Sequence, residues 1–132
     1  MSSEQNFHWA EGMKYALEGI KALFVLNGAA TVSILTFIGN SNRQSEFLVY
    51  SMAAYAVGAL MGPVTLLLAY LTQLMYGNAS LEPNGLAKIW IRAGKFHYAT
   101  YGGVIFGMML FMIGTILAAK GLLNSHPLPV VG

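Results

Sequence analysis

Residues 47–76 read FLVYSMAAYAVGALMGPVTLLLAYLTQLMY, thirty residues without one Asp, Glu, Lys or Arg. A helix needs roughly 20 apolar residues to cross the hydrocarbon core of a bilayer, so this run is long enough to span it with turns to spare. The same test finds a second uncharged run at Tyr98–Ala119, closed by Lys120, and a third at about Ala22–Gly39. The stretches between them, Asn40–Glu46 and Gly77–Asn84, are rich in Asn, Ser, Gly and Pro and read as turns. The expectation is an all-α integral membrane protein with three long transmembrane helices and helical extensions on the cytoplasmic side. All of residues 1–132 form a single membrane domain, with helices at about 4–39, 43–76 and 84–123.

Composition agrees with that frame. Of 132 residues, 56% are hydrophobic and 9% charged, against roughly 25% charged in an ordinary soluble domain. A net charge of +2 leaves no basic footprint for nucleic acid. Cysteine is absent, which excludes disulfides, thiolate metal sites and thiol catalysis. Aspartate is absent as well, and no ionisable group lies deep in an apolar run, which argues against a proton-coupled transporter. The first dozen residues carry Glu4 and Glu11 and no Lys or Arg, the reverse of a signal-peptide n-region, so the first span is expected to stay as an anchor.

The flanks set the orientation. Lys14, Lys21, Lys88, Arg92 and Lys95 fall on one side of a three-span arrangement, with Arg43 and Lys120 on the other. The positive-inside rule then puts the N-terminus of this multi-pass protein in the cytoplasm. Glu11, Lys14, Glu18 and Lys21 form one stripe in which each Glu reaches a Lys one turn on. Before the third span, Leu86, Ile89, Trp90, Ala93 and Phe96 share one face. Lys88, Arg92 and Lys95 form the other, a surface for lipid headgroups or for docking a cytoplasmic or membrane protein partner. Trp9, Tyr15, Trp90, Tyr98 and Tyr101 fit an interfacial aromatic belt.

Within the spans, small residues recur on one side. Ser51, Ala54, Gly58, Gly62, Thr65, Ala69 and Thr72 share a face of the second helix. Gly103, Gly107, Gly114, Ala118 and Gly121 share one of the third. Ala54, Gly58, Gly62, Gly103, Gly107, Gly114 and Ala118 are therefore helix-packing candidates, with the partner helix in this chain or another copy left open. Pro63 lacks the N–H that would bond to Ala59 and marks an expected kink. Asn27, Thr65 and Thr72 are the polar candidates for lining a pore or bonding between helices; Thr31, Ser33, Thr36 and Thr115 are further uncharged polar positions in the spans.

Other constellations carry less. His8, His97 and His126 lack ligand spacing, so no metal and no cofactor is expected. Arg92 and His97 match an Arg-x-x-x-x-His ribonuclease motif, yet on a continuous helix a five-residue step turns them about 140° apart. Asn78-Ala79-Ser80 is a glycosylation sequon that the orientation places in the cytoplasm. No nucleophile–base pair or phosphate cradle can be assembled, so no enzyme is expected.

The run ALFVLNGAATVSILTFIGN at 22–40, with its charged approach EGMKYALEGIK, resembles the first span of small bacterial membrane proteins of mobile and antiphage-defence loci. Among these, it is similar to the membrane accessory proteins of type VI-B CRISPR systems, and Arg92 and His97 match their divergent Arg-to-His motif in form. That resemblance implies a pore-forming or membrane-perturbing homo-oligomer in membrane lipid; ribonuclease activity is not carried over. The leading expectation is thus a homo-oligomeric inner-membrane pore or channel-like protein, a membrane effector of antiphage defence. A phage holin-like lysis protein and a non-catalytic subunit of a larger membrane complex are the alternatives. No nucleic-acid partner is expected.

Overall fold

The computed structural model describes residues 3–41, 43–79 and 86–127. They form three long helices, α1 (Ser3–Ser41), α2 (Glu46–Ala79) and α3 (Leu86–Leu123), with two short strands, β1 (Arg43–Gln44) and β2 (His126–Pro127). At 1.5 Å per residue the helices are about 50–60 Å long, while the hydrocarbon core takes only about 30 Å. Each is long and apolar enough to cross a membrane.

α2 is the central element. Against α3 it holds an antiparallel register over its whole length. Leu48 meets Gly121, Tyr55 meets Gly114, and Met61 and Thr65 meet Gly107 and Gly103. At the far end Tyr76 packs on Trp90, ring centroids 5.0 Å apart. α1 lies along another side of α2: Asn27 faces Gly58, Phe24 faces Gly62, and Gln73 Nε2 donates to Met13 Sδ at 3.7 Å. α1 and α3 touch far less, meeting where Leu23 reaches Gly107.

α2 begins at Glu46, later than the residue 43 expected from sequence, because Arg43 and Gln44 are extended. They pair antiparallel with Pro127 and His126, and Arg43 Nη1 donates to Ser125 Oγ at 3.5 Å. The Ser45 carbonyl then accepts from the amides of Leu48 and Val49, starting the helix. Glu46 sits in that first turn, where the helix dipole favours a carboxylate. Lys120 occupies the last turn of α3, where it favours a cation. α2 stays helical through Pro63, whose ring faces outward.

The core is small. Ile20, Leu23, Leu48, Tyr55 and Ala93 are its buried apolar side chains, joined by buried Asn27, Ser51, Thr65 and Thr72. Most large apolar side chains face out, Ile91, Ile105, Leu60 and Met112 among them. Water would not tolerate a continuous apolar surface of this extent. Inverted polarity of this kind, with polar groups inside and oily ones outside, suits a lipid solvent.

Candidate functional site

Two interior seams and one outward face carry the polar and small residues of the spans. On the α1–α2 seam, Asn27 is fully buried. Its Nδ2 donates to the Leu23 carbonyl at 3.0 Å, one turn back in α1. Its Oδ1 is buried with no hydrogen-bond partner among the described residues. A β-carbon on Gly58 would collide with that oxygen. One turn on, a β-carbon on Gly62 would lie 2.7 Å from that of Phe24. Gly58 and Gly62 thus allow the backbone of α2 to come up against α1.

The α2–α3 seam follows the same logic with the glycines on α3. β-Carbons at Gly103, Gly107 and Gly114 would stand 2.7 Å from Thr65 Oγ1, 2.8 Å from Leu23 Cδ2 and 2.8 Å from Tyr55 Cε1. Ala54 and Ala118 are half-buried nearby. Among the described residues, two polar bonds cross this seam. Ser51 Oγ donates to the Gly114 carbonyl at 2.8 Å, which is accessible because Gly114 has no side chain to cover it. Tyr55 and Thr115 hydroxyls lie 2.9 Å apart. Thr115 spends its proton on the Phe111 carbonyl, so Tyr55 is the donor. Thr65 and Thr72 back-bond to the carbonyls of Met61 and Leu68. With Asn27 they sit inside the single chain, 0–2% exposed. The glycines of these faces are met by helices of the same chain.

The crossing bonds of Ser51 and Tyr55 went unread in sequence. Ser51 was visible only as a small residue, and Tyr55 looked like one more aromatic among seven tyrosines. The register that places each opposite Gly114 and Thr115 is a tertiary fact.

α1 also has an outer side. With Asn27 facing α2, Ala22, Ala29, Ser33, Thr36 and Asn40 project the other way, within about 60° of one another on a helical wheel. All five are exposed, and Ser33 Oγ is satisfied by the Ala29 carbonyl at 2.8 Å. The outer faces of the other helices differ. α2 presents Val57, Leu60, Val64 and Leu67, and α3 presents Ile105, Met108, Met112 and Ile116. All three helices show bulky apolar side chains outward, Val25, Leu26, Val32 and Leu35 on α1 among them, and on α1 these flank a narrow small-and-polar strip.

At the charged end, Glu11 pairs with Lys14 at 2.6 Å and Glu18 with Lys21 at 2.8 Å, all on the surface of α1. Lys88, Arg92 and Lys95 are exposed on α3, and Ala93 is buried on the opposite side. Ile89 and Phe96 are half-buried with it; the side chain of Leu86 lies outside the described residues, as does that of Trp9. Tyr15, Tyr98, Tyr101 and Trp90 are exposed. His97 turns away from the basic face and into aromatic rings, 4.7 Å from Tyr101 and 6.3 Å from Tyr76 between centroids. Arg92 and His97 therefore do not converge on a common site in this chain. His126 pairs with Gln44 at the far end of the bundle from His97. No three His, Cys, Asp or Glu gather into a metal set among the described residues. Ser80 of the sequon lies outside the described residues.

No protein-family model, no curated protein and no solved structure matches this chain.

Proposed function

We propose that the protein is a homo-oligomeric, pore-forming or channel-like protein of a bacterial inner membrane, with its N-terminus in the cytoplasm, acting as a membrane effector of antiphage defence. The observation that supports it is the unequal exterior. The bulky faces of α2 and α3 suit lipid, whereas on α1 a narrow strip of Ala22, Ala29, Ser33, Thr36 and Asn40, between exposed Val25 and Leu26, gives lipid little apolar area. A closed ring with α1 innermost removes that strip from lipid and presents hydroxyls to a central path. One bundle offers no such path, since its middle is filled by Leu23, Met61 and the buried polar side chains. The polar candidates for a pore wall thereby move from Asn27, Thr65 and Thr72 to Ser33 and Thr36. The defence role rests on the resemblance of residues 22–40.

The test is the mass of the protein in native nanodiscs, followed by ion flux in liposomes. A discrete ring-sized oligomer is expected, with flux lost in Ser33→Leu/Thr36→Leu and the mass unchanged. A monomer would overturn the pore. A stoichiometric complex with a different protein would replace it by the accessory-subunit reading. Plating efficiency of phage on expressing cells tests the biological role, and lysis dependent on a co-expressed endolysin would point to a holin instead.

A further inference from the structure

Because α1 leans on α2 and scarcely on α3, the three helices leave a groove between α1 and α3 at the charged end, about 400 Å³ in volume. That lies within the range of small-molecule sites. Leu17 and Ile20 of α1 and Leu66 and Ala69 of α2 form its apolar floor. Lys14, His97 and Tyr101 stand at its sides.

Its depth is set by helix length. Twenty residues, roughly one hydrocarbon thickness, counted from Ser41, Glu46 and Leu123 end near Lys21, Leu66 and Gly103. With the far boundary placed at the end that bears Arg43 and Lys120, the groove falls where the helices leave the hydrocarbon for the headgroups. No carboxylate lines it among the described residues, while one ammonium does. Glu11 pairs with that ammonium from outside the groove. The pairing leaves Lys14 two N–H donors, on a side chain 72% exposed.

We propose that this groove holds one anionic phospholipid of the adjacent leaflet. An acyl chain lies along Leu17, Ile20, Leu66 and Ala69. The phosphate is met by Lys14, with the Tyr101 hydroxyl and the His97 ring beside it. Apolar floor, donor-bearing sides and a position at the membrane boundary match the two ends of an amphipathic anion, and among the described residues the lining holds no carboxylate to pair with the cationic head of a zwitterion. The inference rests on the membrane-spanning reading and is independent of the pore.

The experiment reconstitutes the full chain into nanodiscs of equal phosphatidylglycerol and phosphatidylcholine and counts, by native mass spectrometry after release, the lipid retained per chain. Phosphatidylglycerol is expected to be retained preferentially. Its apparent affinity should fall roughly tenfold in Lys14→Gln, the scale of one lost charge-assisted contact. Ala69→Phe, which fills the floor, should lose the lipid, and Lys21→Gln, an exposed cation off the groove, should keep it. Equal retention of the two lipids, or a Lys14→Gln variant that binds like the native chain, overturns the proposal. Lys14 is a surface residue, so that variant keeps the test independent of whether Ala69→Phe folds. The same spectrum reports oligomer mass separately, so a monomer that retains phosphatidylglycerol would sink the pore and leave the lipid site standing.

Discussion

A β-carbon at Gly121 would stand 2.7 Å from Leu48 Cγ and 2.9 Å from the Leu48 backbone nitrogen. A side-chain tip can swing away, but a helix backbone cannot, so Gly121→Ala must push α3 off α2. Overpacking of this kind costs about 1–3 kcal/mol, and a lowered unfolding midpoint in detergent titration is the expected result. Gly107→Leu strikes Leu23 and Met61 in the same bundle, so it should impair folding of the single chain before any assembly is at issue. Gly58→Ala opposes Asn27 Oδ1 and should be destabilising alone, with part of the loss recovered in Gly58→Ala/Asn27→Ala. Additive effects in that double-mutant cycle would mean that the two residues do not meet. Ser51→Ala removes a buried bond to the Gly114 carbonyl. Bonds between helices in a membrane average about 0.6 kcal/mol and reach about 1.7, so a modest loss is expected in the same titration.

Among the elements, α1 divides along its length. Its first half is largely exposed and carries its own ion pairs, Glu11–Lys14 and Glu18–Lys21. Exposed pairs of this spacing contribute about 0.2–0.5 kcal/mol. Glu18→Gln should therefore leave the unfolding midpoint nearly unchanged, and a large drop would show that the stripe is covered by something else. Its second half buries Asn27 on one side and shows Ser33 and Thr36 on the other. Both sets were legible as polar residues in an apolar run. Which set faces inward was not, because a helical wheel fixes angles between residues and leaves open the direction of the neighbouring helix. The same ambiguity hid the fate of the Gly stripes, since close packing looks alike in sequence whether the partner helix is in the same chain or in another copy.

For the molecule as a whole, three antiparallel helices place the α1–α2 turn and the end of α3 together, and the β1–β2 pairing joins them there. Two residues per strand is too short a signal to read from sequence, where Arg43–Gln44 falls in a turn and at the start of α2. Ending the chain after Ser125 removes β2. The helix seams do not depend on that clasp, so the helical content by circular dichroism and the detergent midpoint should remain close to those of the full chain. The proposed orientation rests on the basic residues of the flanks. A reporter active only outside the cytoplasm should be silent at the N-terminus and active when fused after Asn124. The opposite pattern would invert the protein and put the groove on the outer leaflet.

The sequence by itself determined that three helices form and that they suit lipid, because length and apolarity are sums along the chain and need no partner to be counted. It determined the charged end for the same reason. Tertiary structure alone decided that α2 is central, that Gly58 and Gly62 face α1 while Gly103, Gly107 and Gly114 receive Thr65, Leu23 and Tyr55, and that α1 and α3 part to leave a groove. Those are questions of which face meets which. With apolar residues on every side of each span, the hydrophobic pattern cannot choose a face, and close contact at the glycines makes the choice.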